Sequence, residues 1–156
     1  MKTALSAILS VLLAATTAHA RESQHKTFPT IGLKAIQIAT DSGDIKGTGH
    51  AALLHADTGN GDVAVEGLVG SAEIKIGSGD VTLTWAEAPQ RGSIAVKTGA
   101  GDVRLALPDG TKLATRYTSG SGKLENELGD MPEAELKVSV MTGSGDLWIK
   151  KATSPR

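Results

Sequence analysis

A short unit, Gly-x-Gly-Asp, recurs along this chain of 156 residues and constrains its fold more than any other feature. The Gly-Asp pair occurs at residues 43–44, 61–62, 79–80, 101–102 and 145–146, and a degenerate copy, Gly122-Lys123, precedes the last one. Successive copies are 18, 18, 22, 21 and 23 residues apart. Intervals of that length are typical of the coils of a solenoid.

Apolar residues alternate with polar ones on both sides of these units. Ile74-Lys75-Ile76 precedes one copy and Val81-Thr82-Leu83 follows it. A period of two predicts strands with one buried face, so we expect Val63 and Val103 to point inward and Thr82 to point outward. The glycines supply the backbone conformations and close approaches that a sharp corner needs.

The whole pattern predicts an all-β, single-domain parallel β-solenoid of about six coils with Gly-x-Gly-Asp corners. Coils about 4.8 Å apart would stack each inward residue on its equivalents above and below. A ladder of separate hairpins is the local alternative, but one corner sequence repeated in phase with the apolar pattern favours stacked coils. Open solenoid ends expose unpaired strand edges, so self-association through these ends is a possible outcome.

The N-terminal segment has the layout of a secretory signal peptide. Lys2 precedes an apolar stretch, and Ala18-His19-Ala20 ends it with small residues suited to cleavage after Ala20. We therefore predict a signal peptide over residues 1–20, a polar leader or cap over 21–31, the repeat domain over 32–151 and a tail over 152–156. The predicted location is periplasmic or secreted, without a transmembrane anchor after cleavage.

Composition excludes several classes of function. The chain has 16 basic and 17 acidic residues, and this balance argues against a nucleic-acid partner. It has no cysteine and no His-x-x-x-His spacing, which makes a zinc site improbable. No Gly-x-Ser-x-Gly elbow is present, so we assign no catalytic residue and no cofactor.

Stacked corners would place four aspartates in a ladder: Asp44, Asp62, Asp80 and Asp102. Their mutual repulsion must be offset. In one interpretation each carboxylate accepts backbone N–H groups of its own corner, and in the other the ladder binds Ca²⁺, which prefers oxygen ligands. The unit is one residue shorter than calcium-binding Gly-Gly-x-Gly-x-Asp repeats, and Lys123 puts a positive charge in the fifth rung, so we favour the turn.

Two aromatic residues are the candidates for partner binding. Tyr117 and Trp148 both fall at alternate strand positions that we expect to face outward, where an aromatic ring can stack on a sugar or a peptide. In the alternative, Trp148 covers the last coil. The longer intervals place surface loops at residues 86–92 and 125–135, which are either binding loops or simple connections.

Three stretches carry a resemblance to a known family: Asp57-Thr58-Gly59-Asn60-Gly61-Asp62-Val63, Lys97-Thr98-Gly99-Ala100-Gly101-Asp102-Val103 and Met141-Thr142-Gly143-Ser144-Gly145-Asp146-Leu147. The chain resembles a bacterial adhesin-like family, a domain of unknown function with repeated Thr-Gly-Ser-Gly-Asp units related to the head domains of auto-transporter adhesins. The resemblance implies a solenoid-like fold and a cell-envelope setting. It supplies no catalytic residues.

The leading functional hypothesis is an exported, non-enzymatic β-solenoid that binds an unknown protein or glycan, or that contributes structurally to the cell envelope. A first alternative is a structural protein that assembles with itself through its open ends. A second is a small polysaccharide-active enzyme, which would use a carboxylate pair such as Glu125 with Glu127 or Glu133 with Glu135.

Overall fold

The computed structural model describes residues 26–30 and 35–152, and within these residues the chain forms strands and turns without a helix. The strands are β1 (Lys26–Thr30), β2 (Ala35–Ser42), β3 (Ile45–Gly49), β4 (Leu53–Asn60), β5 (Val63–Leu68), β6 (Ser71–Ser78), β7 (Val81–Trp85), β8 (Gly92–Ala100), β9 (Val103–Leu107), β10 (Ala114–Ser121), β11 (Leu124–Asn126), β12 (Leu136–Ser144) and β13 (Leu147–Lys151).

The strands form two parallel sheets that face each other. Sheet A has seven strands in the order β1-β3-β5-β7-β9-β13-β11, and sheet B has six in the order β2-β4-β6-β8-β12-β10. Each coil consists of one strand of sheet B, a glycine corner and one strand of sheet A. Neighbouring coils pair in parallel in both sheets. The prediction of an all-β parallel solenoid with Gly-x-Gly-Asp corners is confirmed.

The last two coils do not stack in sequence order. The coil β12–β13 lies between β8–β9 and β10–β11. The coil at the end of the stack, β10–β11, therefore comes earlier in the sequence than the coil next to it. The inward residues explain this order. In β12 Val138 and Val140 are fully buried, whereas their register partners in β10 are Thr115 and Tyr117. An inner coil has neighbours on both sides and buries aliphatic residues, while an end coil tolerates polar ones.

The core lies between the two sheets and follows the predicted register. Val63 and Val103 are 1% and 0% exposed, while Thr82 is exposed on the outer face of sheet A, as predicted. Most core side chains are aliphatic. One exception is Trp85, which is fully buried and donates its indole N–H to the carbonyl oxygen of Gly70 at 2.9 Å. This pairing satisfies the polar atom of the largest core side chain.

The two predicted surface loops are present, with slightly different bounds. Residues 86–91 connect β7 to β8, and residues 127–135 connect β11 to β12, because β11 takes up residues 124–126. The predicted signal peptide (1–20) and residues 153–156 of the predicted tail lie outside the described residues. Within the predicted leader, β1 pairs with β3 at the edge of sheet A. The domain boundaries stay a prediction.

In the part of the chain that the structure describes, no helix is long and apolar enough to cross a membrane.

Candidate functional site

The corners are held together by backbone atoms that approach each other closely. A Cβ atom added to Gly77, the first glycine of its corner, would overlap the carbonyl oxygen of Gly59 in the preceding coil, and a Cβ on Gly59 would overlap that of Asp41. Only glycine fits such a position. Asp41 itself carries a side chain because β2 is the edge strand of sheet B. The unusual first corner, Asp41-Ser42-Gly43-Asp44, therefore marks the beginning of this sheet.

The aspartates of the corners form a ladder of hydrogen bonds. The Oδ1 atom of Asp44 accepts the backbone N–H of Asp62 at 3.1 Å, and Asp62 accepts that of Asp80 at 2.9 Å. Asp80 accepts from Asp102 at 2.9 Å, and Asp102 from Asp146 at 3.0 Å. The donor belongs to the neighbouring coil, so the expectation that each carboxylate bonds within its own corner is wrong. Each carboxylate instead ties two coils together.

Lys123 ends this ladder. Its backbone N–H donates to Oδ1 of Asp146 at 2.8 Å, and its own coil, β10–β11, is the last in both sheets. Among the described residues no further coil offers an N–H group at this end, so an aspartate here would have no such donor. The expectation that Lys123 interrupts the fifth rung is wrong because the inserted coil supplies Asp146 at that rung. Asp146 is a fifth aspartate of the ladder, beyond the four predicted from the sequence.

A protein cation lies beside the ladder, in contact with two of the four aspartates that the calcium hypothesis names. Arg104 contacts Oδ2 of Asp80 at 3.4 Å and Oδ2 of Asp102 at 3.3 Å. These contacts offset part of the repulsion between neighbouring carboxylates. Among the described residues, no group of three His, Asp or Glu side chains is arranged to hold a metal ion. Calcium binding by Asp44, Asp62, Asp80 and Asp102 stays an untested alternative.

Trp148 lies on the outer face of sheet A, next to this arginine. Its indole is half-buried, and the guanidinium carbon of Arg104 lies 4.8 Å from the ring centre, within the range of a cation–π contact. Trp148 and Arg104 are register partners on β13 and β9, while Glu125 of β11 is the register partner on the other side. Because β11 pairs with β13 at the edge of sheet A, the coil that contains Trp148 is not the last one. The alternative that Trp148 covers the last coil is therefore wrong.

Tyr117 points the other way, contrary to the prediction. It is partly buried against the core, and its hydroxyl donates to the carbonyl oxygen of Gly145 at 2.6 Å. In the end coil, an inward aromatic ring covers core residues that have no further coil above them. Leu128, from the connection to β12, packs against the core as well. Tyr117 therefore closes the core, and the two candidate aromatics do not form one site.

The connections on the opposite side from the corners meet in a groove. Its lining includes Pro89, Lys112, Ala134 and the carboxylate pair Glu133 and Glu135. The other pair considered for catalysis is divided between two roles. Glu125 is exposed on β11, and Glu127 accepts the backbone N–H of Lys151 at 3.2 Å. Glu127, Glu133 and Glu135 thus belong to the connection between β11 and β12, whereas Glu125 lies on β11 itself.

A further ion pair fastens the end of β13. The Nζ atom of Lys151 lies 2.9 Å from Oδ1 of Asp109, in the connection that follows β9. The hydrogen bond and charge of Lys151, together with the backbone N–H of Gly110, hold the pKa of the exposed Asp109 carboxyl below its ordinary value. This contact joins the inserted coil to the coil beside it.

Comparison with known proteins identifies one family. The family model described as Toastrack DUF4097 matches residues 13–150, which is most of the chain. No curated protein matches the chain significantly, and neither does any solved structure.

Proposed function

This chain belongs to the Toastrack DUF4097 family, an uncharacterised solenoid family, and from that premise we propose that it is an exported, non-enzymatic, adhesin-like module that binds a cell-envelope glycan through the outer face of sheet A. The proposed setting, periplasmic or secreted, rests on the predicted signal peptide of residues 1–20. The adhesin-like role rests on the resemblance of the repeated corners.

The observation that carries the proposal is the fixed, outward-facing Trp148. The guanidinium of Arg104 lies over one face of the indole and is itself held by Asp80 and Asp102. The ring is therefore positioned before a ligand arrives, which lowers the entropic cost of binding. An indole supplies an apolar surface for the C–H face of a sugar ring.

The flanking residues suit the rest of a sugar. Arg104 carries N–H donors on one side of Trp148, and the exposed Glu125 carries acceptor oxygens on the strand at the other side. Sugar hydroxyl groups both donate and accept hydrogen bonds. The presence of a donor, an aromatic ring and an acceptor on three neighbouring strands therefore favours a glycan over an apolar ligand.

The two alternatives receive less support. The Oε2 atom of Glu127 accepts a backbone hydrogen bond, and Glu133 and Glu135 line a separate groove, so neither carboxylate pair faces Trp148 as a unit. Two residues oppose the addition of further coils to the ends of the stack. Asp41 carries a Cβ atom at the corner position that glycine occupies in the following coils, and Lys123 offers no carboxylate to a coil beyond its own.

The test is retention on immobilised envelope polysaccharides. We expect the protein to be retained by at least one of them, and Trp148→Ala to weaken retention by about tenfold or more, because truncating an aromatic anchor of a binding surface costs about 2 kcal/mol or more. The matched control is Thr82→Ala, an exposed residue of the same outward row. Equal retention of Trp148→Ala and the parent protein would contradict the proposal. Release of shortened sugar chains would favour the enzyme instead.

A further inference from the structure

The two faces of the Trp148 indole have different neighbours. The guanidinium carbon of Arg104 lies 4.8 Å from the ring centre, and its nitrogen atoms contact Asp80 and Asp102, which precede β7 and β9. These strands lie on the opposite side of β13 from β11. The covered face of the ring is therefore the one turned toward β9. The other face is turned toward β11, where the register partner of Trp148 is Glu125.

The contact with Arg104 shows what kind of group this arrangement holds. A cation that lies over an indole and beside carboxylates is attracted both by the ring and by the opposite charges. The chain supplies such a cation on the β9 side, and within residues 26–30 and 35–152 no second cation lies over the ring. The face turned toward β11 is thus not engaged by a basic side chain of the described residues.

Glu125 supplies a carboxylate on that side. Its side chain is exposed, and in the part of the chain that the structure describes it takes part in no ion pair. Lys123, two residues earlier, is also exposed and does not pair with it. The β11 side therefore offers an indole face and a carboxylate, the same two kinds of group that hold Arg104 on the β9 side.

The outer face of sheet A is acidic as a whole. Its carboxylates belong to the five aspartates of the ladder, Glu66 and Glu125, and its basic groups belong to Lys46, Arg104, Lys123 and Lys150. An excess of carboxylates raises the local concentration of a cationic ligand and lowers that of an anionic one. The charge of the face therefore favours a cationic ligand at Trp148.

We propose that the glycan bound at Trp148 is an amino glycan, whose sugar units carry protonated amino groups. This inference rests on the proposed function of the same site. One sugar ring lies against the face of the indole turned toward β11, and its ammonium group lies beside the carboxylate of Glu125. Glu125 then selects the amino sugar over its acetylated counterpart, because an acetylated amine carries no charge. Arg104 covers the other face, so a sugar stacks on one side of the ring only.

The experiment compares two ligands that differ in the charge of the amine. Oligomers of glucosamine carry amino groups, and oligomers of N-acetylglucosamine of the same length carry none. We expect the parent protein to bind the glucosamine oligomer about tenfold more tightly at low salt. High salt should reduce this preference, because it screens exposed charges. Isothermal titration calorimetry measures both affinities.

Two matched variants locate the origin of the preference. Glu125→Gln keeps the shape of the side chain and removes its charge, so the two oligomers should then bind with similar affinity. The control is Glu66→Gln on β5, an exposed glutamate of the same face that lies three strands from Trp148, and it should keep the preference. Trp148→Ala should weaken the binding of both oligomers.

The outcomes separate this inference from the proposed function. A parent protein that binds the glucosamine oligomer no more tightly than the acetylated one would overturn the inference alone. So would a preference that survives Glu125→Gln, or one that Glu66→Gln removes to the same extent, since the charge would then act from the whole face. Retention of the parent protein by no polysaccharide at all would overturn the proposed function together with the inference.

Discussion

The guanidinium carbon of Arg104 lies 4.8 Å from the centre of the Trp148 indole, on strands that are neighbours because β13 returns between β9 and β11. Had the last two coils stacked in sequence order, β11 would lie beside β9 and Trp148 would lie on the outermost coil. The insertion of the final coil thus brings the arginine held by the aspartate ladder next to the aromatic ring proposed to bind a ligand.

The aspartate ladder should behave as a set of hydrogen-bond acceptors. Asp62→Asn keeps an Oδ1 acceptor for the N–H of Asp80 and should change the free energy of unfolding little, whereas Asp62→Ala removes the acceptor and should cost about 1 kcal/mol. Urea unfolding of both variants measures the difference. Millimolar calcium should leave the melting temperature of the parent protein unchanged. A calcium-dependent rise that Asp62→Asn abolishes would show a metal site instead.

The first residues of the corners stack on one another in the order Asp41, Gly59, Gly77. Among these three positions, only position 41 should tolerate a side chain. Gly77→Ala places a Cβ atom against the carbonyl of Gly59 and should cost about 2–4 kcal/mol, because backbone atoms must move apart. Asp41→Ala, at the edge of the same sheet, should stay within about 0.5 kcal/mol of the parent protein. Chemical denaturation compares the two variants. Similar costs at both positions would mean that the coils do not stack in the direction described.

The inward register can be tested with one substituent at two positions. Val103→Asp puts a charge into the core between the sheets and should cost about 3–5 kcal/mol or prevent folding. Thr82→Asp places the same group on the exposed face of sheet A and should have an effect below about 1 kcal/mol. Thermal melting followed by circular dichroism distinguishes them. A reversed ranking would mean that the two faces of the strands are assigned wrongly.

The corners and the inward faces could be predicted from the sequence because they depend on local chemistry. A glycine needed at a close approach and an alternating apolar pattern recur in the inner coils, and Val63 and Val103 are buried as predicted. The order of the last two coils could not be predicted this way, because any strand of suitable length can pair in parallel with any other. The orientation of Tyr117 depends on that order, since only an end coil needs an aromatic residue over its core.

Signals of the true order were nevertheless present in the departures from the repeat. Asp41 replaces the glycine of the first corner, and Lys123 replaces the aspartate of the coil that lies at the opposite end. Glycine at the first position is required only where a preceding coil lies close, and the aspartate is useful only where a following coil supplies an N–H group. Each departure therefore lacks a feature that only an inner coil requires. The contact between Arg104 and Trp148 had no such signal, because it depends on which strands become neighbours.

The order of the coils is the central claim, and disulfide formation tests it most directly. Ala95 and Ser139 are register partners on β8 and β12, while Arg116 lies one strand further, on β10. Neighbouring strands are about 4.8 Å apart, within the span of a disulfide, whereas strands separated by a third lie about 10 Å apart, beyond it. The chain has no cysteine of its own, so introduced pairs are free of competing thiols. The account predicts that Ala95→Cys with Ser139→Cys oxidises readily in the folded protein and that Ala95→Cys with Arg116→Cys does not; efficient oxidation of the second pair and not the first would contradict it.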